Sequence, residues 1–565
     1  MAYFLKKSKN KKGLYLQIYE SHWDAKRGHT VQSSIKALGY EHELQAQGIS
    51  NPVEYYKDEV ARMNTARKEE REKEKVRRIS DTTPEVYLGH FLLRAVNKAL
   101  NIEEDFRYLQ MLSGFKFDLY ALLSNLAYAR VISPASKLKT YTEVLPQLAG
   151  SNTSFSLDQL YDGISFLGQE YQKVVEMYNH HVHKVFGRDL SYTYFDCTNF
   201  FFEVDLESDL KKKGPSKEQR RDPIVGMGLL LDAKCIPLGL IIYPGNESEK
   251  PVMRKILSQV KRRNNLCGRT IRVADKGLNC ADNIADALAC GDGYIFSKSI
   301  KQLPELEQAW ALSERDWKDI VSNDGEVIRR TKSCIAEFDY NITTQEGTKK
   351  KVRIQEKRIV SFNPALARKQ HLEIERQVEK ARRLRLSQAK RSEFGDSAKF
   401  VNFTTQDESS VLVELNYEAI ERAKRFAGYN MIVTSEAALS DSEIYDSYHE
   451  LWHIEETFRA LKSGLSARPV YMQKDSSIIG HFLICYISIL LERLVQVELL
   501  NNRFATEEII RFIRNLRAVE ISDRKYINLS KSSVVLDEIE HVTKLALGNY
   551  YLTKGQVKEI IDYRI

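Results

Sequence analysis

At residue 191 the hydrophobic period of this chain changes from that of helices to that of strands, and the change limits what it can fold into. Between residues 84 and 188 apolar side chains recur at helical spacing, as in Leu119, Leu122, Leu123 and Leu126, with breaks near Ser133-Pro134 and Gly150. From SYTYFDCTNFFFEVD onward the runs are aromatic and β-branched, continuing through PIVGMGLLLD and IPLGLIIYPGN. A helical segment (Glu249 to Arg263), a fourth strand (TIRVAD), a short helix (Asn279 to Ala289) and a fifth strand (GYIFS) follow. The expected fold class is α/β, a mixed five-stranded sheet with helices on it, preceded by an all-helical N-terminal domain. Two acids stand out. Asp196 interrupts an aromatic strand, where an unpaired carboxylate is costly, and Asp275 ends the fourth strand just before Lys276-Gly277. Singly, each reads as a turn or cap aspartate. Together they read as acids at one edge of a sheet, where ligand sites in α/β folds lie.

The stretch YHELWHIEETFRALK, Tyr448 to Lys462, allows two chemistries. His449-Glu450-Leu451-Trp452-His453 spells H-E-x-x-H, the zinc-peptidase helix motif. Across it, Tyr448, Glu455 and Lys462 repeat every seven residues, nearly two helical turns, and so share a face beside Arg459 and Trp452. Leu451, Ile454, Phe458, Leu461 and Leu465 form the adjoining apolar stripe. His449 and His453 point away from both, so a solvated pair is expected and Glu455 is favoured as the chemical group.

The 565 residues exceed what one core organises, and 43% hydrophobic with 29% charged residues marks a globular chain. Seven Cys without C-x-x-C pairs support neither a disulfide framework nor a zinc ribbon, and point to a reducing compartment. The N-terminus lacks the apolar stretch of a signal peptide. The longest apolar run, Ile478 to Leu491, is too short to span a bilayer and carries His481, so it is expected as a buried core helix of a soluble protein with no membrane partner. The net charge of +8 is gathered in runs such as Lys6 to Lys12, Lys211 to Lys213 and Arg368 to Arg391, which suit a polyanion. Expected segments are a basic β-hairpin and charged linker helix (1–80), a helical domain suited to DNA binding (81–188), the first part of the sheet (189–300), a β-rich insertion with a basic helix (301–427), the second part of the sheet domain (428–500) and a C-terminal helical region (501–565).

Asp196-Cys197-Thr198, Val273-Ala274-Asp275-Lys276-Gly277 and the Tyr448, Glu455, Lys462 spacing, in this order and with a large insertion before the third, resemble the DDE transposases of bacterial insertion sequences. The likeness is to the insertion-sequence-four type, whose last acid sits in Tyr-x2-Arg-x3-Glu-x6-Lys. The Arg position is Leu451 here, and Arg459, one turn beyond Glu455, is the substitute. The resemblance covers roughly residues 190 to 500.

It implies a ribonuclease-H-like core in which Asp196, Asp275 and Glu455 are catalytic and hold two Mg²⁺, with Mn²⁺ as substitute. Such paired cations serve an in-line phosphoryl displacement that nicks DNA and then joins the freed 3′-hydroxyl to a target. It further implies phosphate contacts from Tyr448, Arg459, Lys462 and Lys276. Lys211, Lys212, Lys213, Lys217, Arg220 and Arg221 are expected on the DNA backbone further out, and Trp310 or Trp317 under an extruded base. The implied partners are double-stranded DNA, both terminal inverted repeats and target, and a second copy in a homodimer. The implied location is the bacterial cytoplasm, on the nucleoid when bound to DNA. Two other readings stay open: a zinc metallopeptidase at His449 and His453, and a non-catalytic DNA-binding protein descended from a transposase.

Overall fold

The computed structural model describes the chain except residues 1, 25–28, 77–84, 204, 219–220, 264–267, 323, 344–346, 387–390, 408–409, 469 and 523–524. It comprises two compact units. The first takes residues 1–84 with 519–525. Its strands β1 (Ala2–Asn10), β2 (Gly13–Asp24) and β3 (His29–Tyr40) pair antiparallel in that order, so the expected hairpin is a three-stranded meander. Leu16 and Ile18 of β2 alternate inward. After α1 (Glu41–Ala46), the charged helix α2 (Pro52–Val76) is held on β1 by Asn64, whose amide both donates to and accepts from the Tyr3 backbone at 2.9 Å.

The second unit takes residues 85–518 and 526–565. A short strand β4 (Glu85–Tyr87) precedes α3 (Phe91–Ala99), α4 (Glu103–Ser113), α5 (Leu119–Ile132), α6 (Lys137–Lys139), α7 (Leu157–Gln169) and α8 (Tyr171–Phe186). The period change then produces β5 (Tyr192–Phe201), β6 (Ile224–Leu231), β7 (Pro237–Pro244), α9 (Glu249–Arg263), β8 (Ile271–Ala274), α10 (Ala281–Ala289) and β9 (Gly293–Lys298). The insertion contributes α11 (Glu305–Leu312), β10 (Lys318–Val321), β11 (Val327–Thr343), β12 (Lys349–Phe362), the basic helix α12 (Pro364–Leu386), the hairpin β13 (Val401–Asp407) and β14 (Ser410–Leu415), and α13 (Tyr417–Arg425). The chain returns through β15 (Tyr429–Thr434), α14 (Asp441–His449), α15 (Trp452–Arg459), α16 (Asp475–Leu494) and α17 (Thr506–Asn515).

The sheet has nine strands, not five, in the order β10-β11-β12-β15-β9-β8-β5-β6-β7. The five expected strands are neighbours within it. β15 pairs antiparallel with β9, and its other edge takes β12, so the insertion widens the sheet instead of standing apart from it. Only β5–β8 and β8–β9 are parallel, through the crossovers of α9 and α10. The two faces feed two cores. Tyr194 and Phe200 of β5 and Ile271 and Val273 of β8 enter the larger one, with α5, α7, α8, α15 and α16. Phe195, Cys197 and Ala274 enter the smaller, under α9 and α10.

The apolar run is the hub of the larger core. Every residue from Gly480 to Leu494 on α16 is buried, and each Ile, Leu or Phe there contributes about 1.5–3 kcal/mol of transfer free energy. Asp475–Leu499 is long and apolar enough to cross a membrane, but 94% of its apolar window is buried in the protein. Gly168 of α7 and Gly480 of α16 permit the contact, since a Cβ on either would meet the opposite backbone at about 2 Å.

Candidate active site

Phe195 and Ala274 are the last paired residues of parallel β5 and β8, so Asp196 and Asp275 come next on adjacent strands. The two-residue period sets their direction. Tyr194 and Val273 point into the larger core, and Asp196 and Asp275 project on that same side. α15 covers it, seated by Leu451, Ile454, Phe458 and Leu461, with Glu455 on its exposed margin. The Tyr448 hydroxyl donates to Asp275 Oδ1 at 3.2 Å. Burial raises the Tyr448 pKa, and the charges of Asp275 and Glu455 add to the rise. Asp196 thus feels the charge of Asp275, and Tyr448 lies in the field of both Asp275 and Glu455.

The helix that carries Glu455 is not continuous. A Ser440–Glu443 capping box opens α14, which ends at His449; a tight turn at Glu450-Leu451 follows, and a wider π turn (Ala460–Gly464) succeeds α15. Both turn residues keep right-handed helical dihedrals (φ −58°, ψ −13° and φ −55°, ψ −22°), so the seven-residue spacing still aligns Tyr448 with Glu455.

The cations differ more from expectation. Lys217, expected on outer DNA backbone, lies in the acid cluster: its Nζ is 4.0 Å from Asp196 Oδ1 and 3.2 Å from Glu249 Oε1, and it donates to the Cys197 carbonyl. Burial pushes the Asp196 carboxyl up to about 6; Glu249 and Asp275 add to this, while Lys217 and the Cys197 N–H, 2.7 Å from Oδ1, oppose it. Against burial, which acts to lower it, Asp196 and Glu249 hold the Lys217 ammonium above its ordinary range. Lys462 stands 3.8 Å from Glu218 and 5.6 Å from the Phe200 ring, and burial lowers its pKa. Glu218 also pairs with Arg468. Sequence reading missed Glu249 and Glu218. Glu249 signalled itself only by opening a helix after a Pro-Gly turn, and Glu218 by nothing local.

Arg459 and Lys276 are exposed near the rim, and Lys213 and Arg221 are exposed further out, Lys213 at 3.6 Å from Asp205. Arg220 lies outside the described residues. Lys211, expected on the DNA backbone, is instead 3% exposed, with its ammonium 5.8 Å from the Phe202 ring. The Asp475 carboxylate accepts from Ser208 Oγ at 2.6 Å and Leu210 N at 3.2 Å, and so ties this loop to the start of α16. Lys212 is half-buried and exchanges backbone hydrogen bonds with Ile224. Trp310 and Trp317 are packing residues, not open platforms: both flank the smaller core, Trp317 Nε1 donates to Ser313 O at 2.8 Å, and the Lys332 ammonium lies 5.5 and 4.6 Å from their rings. Trp452, three residues before Glu455, presents an exposed indole, at 51%.

The H-E-x-x-H histidines diverge. His449 stacks on Tyr445 at 3.7 Å and bonds its carbonyl at 2.7 Å. His453, expected in solvent, is 13% exposed and turns toward Glu450 and Glu456, at 3.1 and 3.6 Å. A peptidase centre needs both rings on one ion, and these two rings have separate partners.

Carboxylate oxygens are hard donors suited to Mg²⁺ or Mn²⁺. The ammonium of Lys217, drawn between Asp196 and Glu249, marks the place where positive charge is favoured, so the residues present fit divalent cations. The oxygens of Asp196, Asp275 and Glu455 do not all lie within 4.8 Å of one another, so the three are not a cage for one ion as they stand.

Residues 200–491, more than half of the chain, match the family described as the transposase DDE domain. The match begins just after Asp196 and includes Asp275 and Glu455, and the mixed α/β architecture is compatible with a ribonuclease-H-like domain of this kind. No curated protein matches the chain.

Proposed function

The chain belongs to the transposase DDE-domain family, and we propose that it is the transposase of a bacterial insertion sequence, cutting DNA at the element's terminal inverted repeats and joining the freed 3′ ends to target DNA. The observation that carries this reading is the convergence of Asp196 and Asp275, side by side on adjacent parallel strands, with Glu455 on the helix covering that face. In this reading Asp196, Asp275 and Glu455 hold two divalent cations, Mg²⁺ or Mn²⁺. When bound, these supply charge stabilisation for the attacking and leaving oxygens of an in-line phosphoryl displacement.

The remaining steps belong to the chain's own side chains. Lys217 partly neutralises Asp196 and Glu249, the charge that divalent cations would balance when bound. Tyr448 orients the Asp275 carboxylate. Arg459 and Lys462 bind the phosphates flanking the scissile bond, Arg459 in place of the arginine that Leu451 displaces from the motif; Leu451 is buried in the core and offers no charge. Lys276, Lys213 and Arg221 extend the contact along the backbone. Pairing of two element ends makes a homodimer the working unit, with the insertion-sequence-four type as its branch.

Purified protein incubated in Mg²⁺ with a duplex bearing the element's end is expected to leave a 3′-hydroxyl nick at the repeat boundary. Asp196→Ala, Asp275→Ala and Glu455→Ala each abolish the nick and retain DNA binding. Cleavage surviving in any of the three overturns the assignment. Salt-sensitive binding without cleavage in any divalent metal identifies a non-catalytic descendant instead.

A further inference from the structure

The turn between β6 and β7 presents a buried thiol to the junction of α14 and α15. Cys235 is 6% exposed and holds a left-handed backbone (φ +60°) in a turn closed by its own N–H on Asp232 O at 2.9 Å. The Asp232 carboxylate fixes that turn, accepting from Lys234 N at 3.1 Å and Ile236 N at 2.9 Å. Opposite the thiol stand Glu450 and His453. One ligand atom from each of Cys235, Glu450 and His453 lies within 4.8 Å of both others, and among the described residues no other group of three or more His, Cys, Asp or Glu side chains does this.

We propose that Cys235, Glu450 and His453 form a zinc site, separate from the acid rim and independent of the transposase reading. The donor set selects the metal. Thiolate and imidazole favour a borderline-soft cation over Mg²⁺, and three protein ligands with a solvent-facing fourth position suit tetrahedral Zn²⁺. Glu450, with its side chain 48% exposed, leaves that fourth position to water.

The surroundings are those of a metal-binding histidine. His453 Nε2 is the ring atom near Glu450, at 3.1 Å, while Nδ1 faces Glu456 Oε2 at 3.6 Å, enclosed and without a hydrogen bond. Glu456 is in turn anchored by Arg493 at 3.1 Å. Ligation through Nε2 places the proton on Nδ1, aimed at Glu456, which is the carboxylate–histidine–metal relay that orients ligating imidazoles. Binding exchanges one proton: the Cys235 thiol, pushed up to about 12 by burial, gives its proton to buffer as the sulfur–zinc bond forms. The clamp joins the hairpin turn to α15 two residues before Glu455, so it positions the helix that carries the third acid.

The motif HELWH is therefore half used. Glu450 and His453 ligate, His449 does not, and the sulfur comes from a residue 215 positions before Glu450.

The test uses the full-length chain stripped with chelator and titrated with Zn²⁺ or Co²⁺ in excess Mg²⁺. One equivalent of Zn²⁺ is expected, with a thiolate-to-cobalt charge-transfer band in the Co²⁺ form. Cys235→Ser removes the band and weakens zinc at least about 100-fold, and the exposed change Glu450→Gln, which spares folding, weakens it about 10-fold or more. His449→Ala and Glu455→Ala keep both the band and the stoichiometry. Absence of a one-equivalent site, a band that survives Cys235→Ser, or affinity unchanged in Glu450→Gln overturns the proposal. Since Glu455→Ala is inactive but zinc-binding in this account, failure of the zinc site and failure of the transposase reading are told apart.

Discussion

Tyr448 and Asp275, 173 residues apart, are joined by a 3.2 Å hydrogen bond from phenol to carboxylate. That contact ties the end of β8 to α14 and gives the tyrosine of the seven-residue repeat a task before any DNA is bound. Tyr448→Phe keeps the ring's packing and removes one bond to a charged acceptor. Cleavage is expected to fall about 10-fold, the equivalent of about 1.4 kcal/mol, with DNA binding within about twofold of wild type. Single-turnover cleavage beside a filter-binding curve measures both; an unchanged rate removes Tyr448 from the site.

In the proposed site, Lys217 and divalent cations would compete for Asp196. Lys217→Gln leaves Asp196 and Glu249 without their shared ammonium, so the metal-free protein melts lower, and the rise in melting temperature on adding Mn²⁺ is larger than in wild type. Thermal shift with and without Mn²⁺ reads the difference. An equal rise in both proteins shows that Lys217 and the cations occupy unrelated places.

The raised pKa of Asp196 makes a signed pH prediction. Its folded value, about 6, exceeds the ordinary value of about 3.9, so ionisation opposes folding: the cost is absent below about pH 4, grows between about 4 and 6, and is complete above. Without metal, Asp196→Asn should melt about 2–4 °C above wild type at pH 7.5, and no higher at pH 4. Protons also compete with cations at this carboxylate, so apparent Mn²⁺ affinity in wild type falls as pH drops below about 6, approaching about tenfold per unit. A gain that persists at pH 4 contradicts the assignment of the shift to Asp196.

How much of this was legible in sequence differs by residue. The strands of the sheet announced themselves because β-branched and aromatic runs fold locally, and Asp196 and Asp275 were conspicuous because each breaks or ends such a run. The sheet's width was not legible, since the pairing of β15 with β12 joins segments that carry no local sign of each other. Lys211 and Lys217 belong to one basic loop, yet Lys211 is buried beside Phe202, where Asp475 holds the neighbouring Ser208 and Leu210, and Lys217 turns into the acids beside Glu249; neither Asp475 nor Glu249 is signalled by the loop itself. The helix phase placed Glu455 correctly on the margin of α15 but put His453 in solvent; burial of that ring depends on Glu456 and Arg493, which no periodicity reveals.

The buried pair Arg188–Asp232 supports the hairpin turn. The two meet at 2.9 Å with both side chains fully enclosed, and Arg188 also donates to Asn179 Oδ1 at 2.8 Å and Pro237 O at 2.9 Å. Arg188→Ala strands the Asp232 charge and is expected to cost about 3–5 kcal/mol, whereas the double change Arg188→Met with Asp232→Asn recovers part of it. Denaturant unfolding compares the three proteins, and a loss below about 1 kcal/mol in Arg188→Ala contradicts the role.

Glu455, and not the histidines beside it, is the third acid of the proposed site. The direct measurement is single-turnover cleavage of an end-bearing duplex in saturating Mg²⁺ by wild type, Glu455→Gln and His449→Ala, with DNA binding measured in parallel. A loss of at least about 10³-fold is expected in Glu455→Gln at unchanged binding, and wild-type cleavage in His449→Ala. Cleavage that survives Glu455→Gln, or that depends on His449, contradicts it.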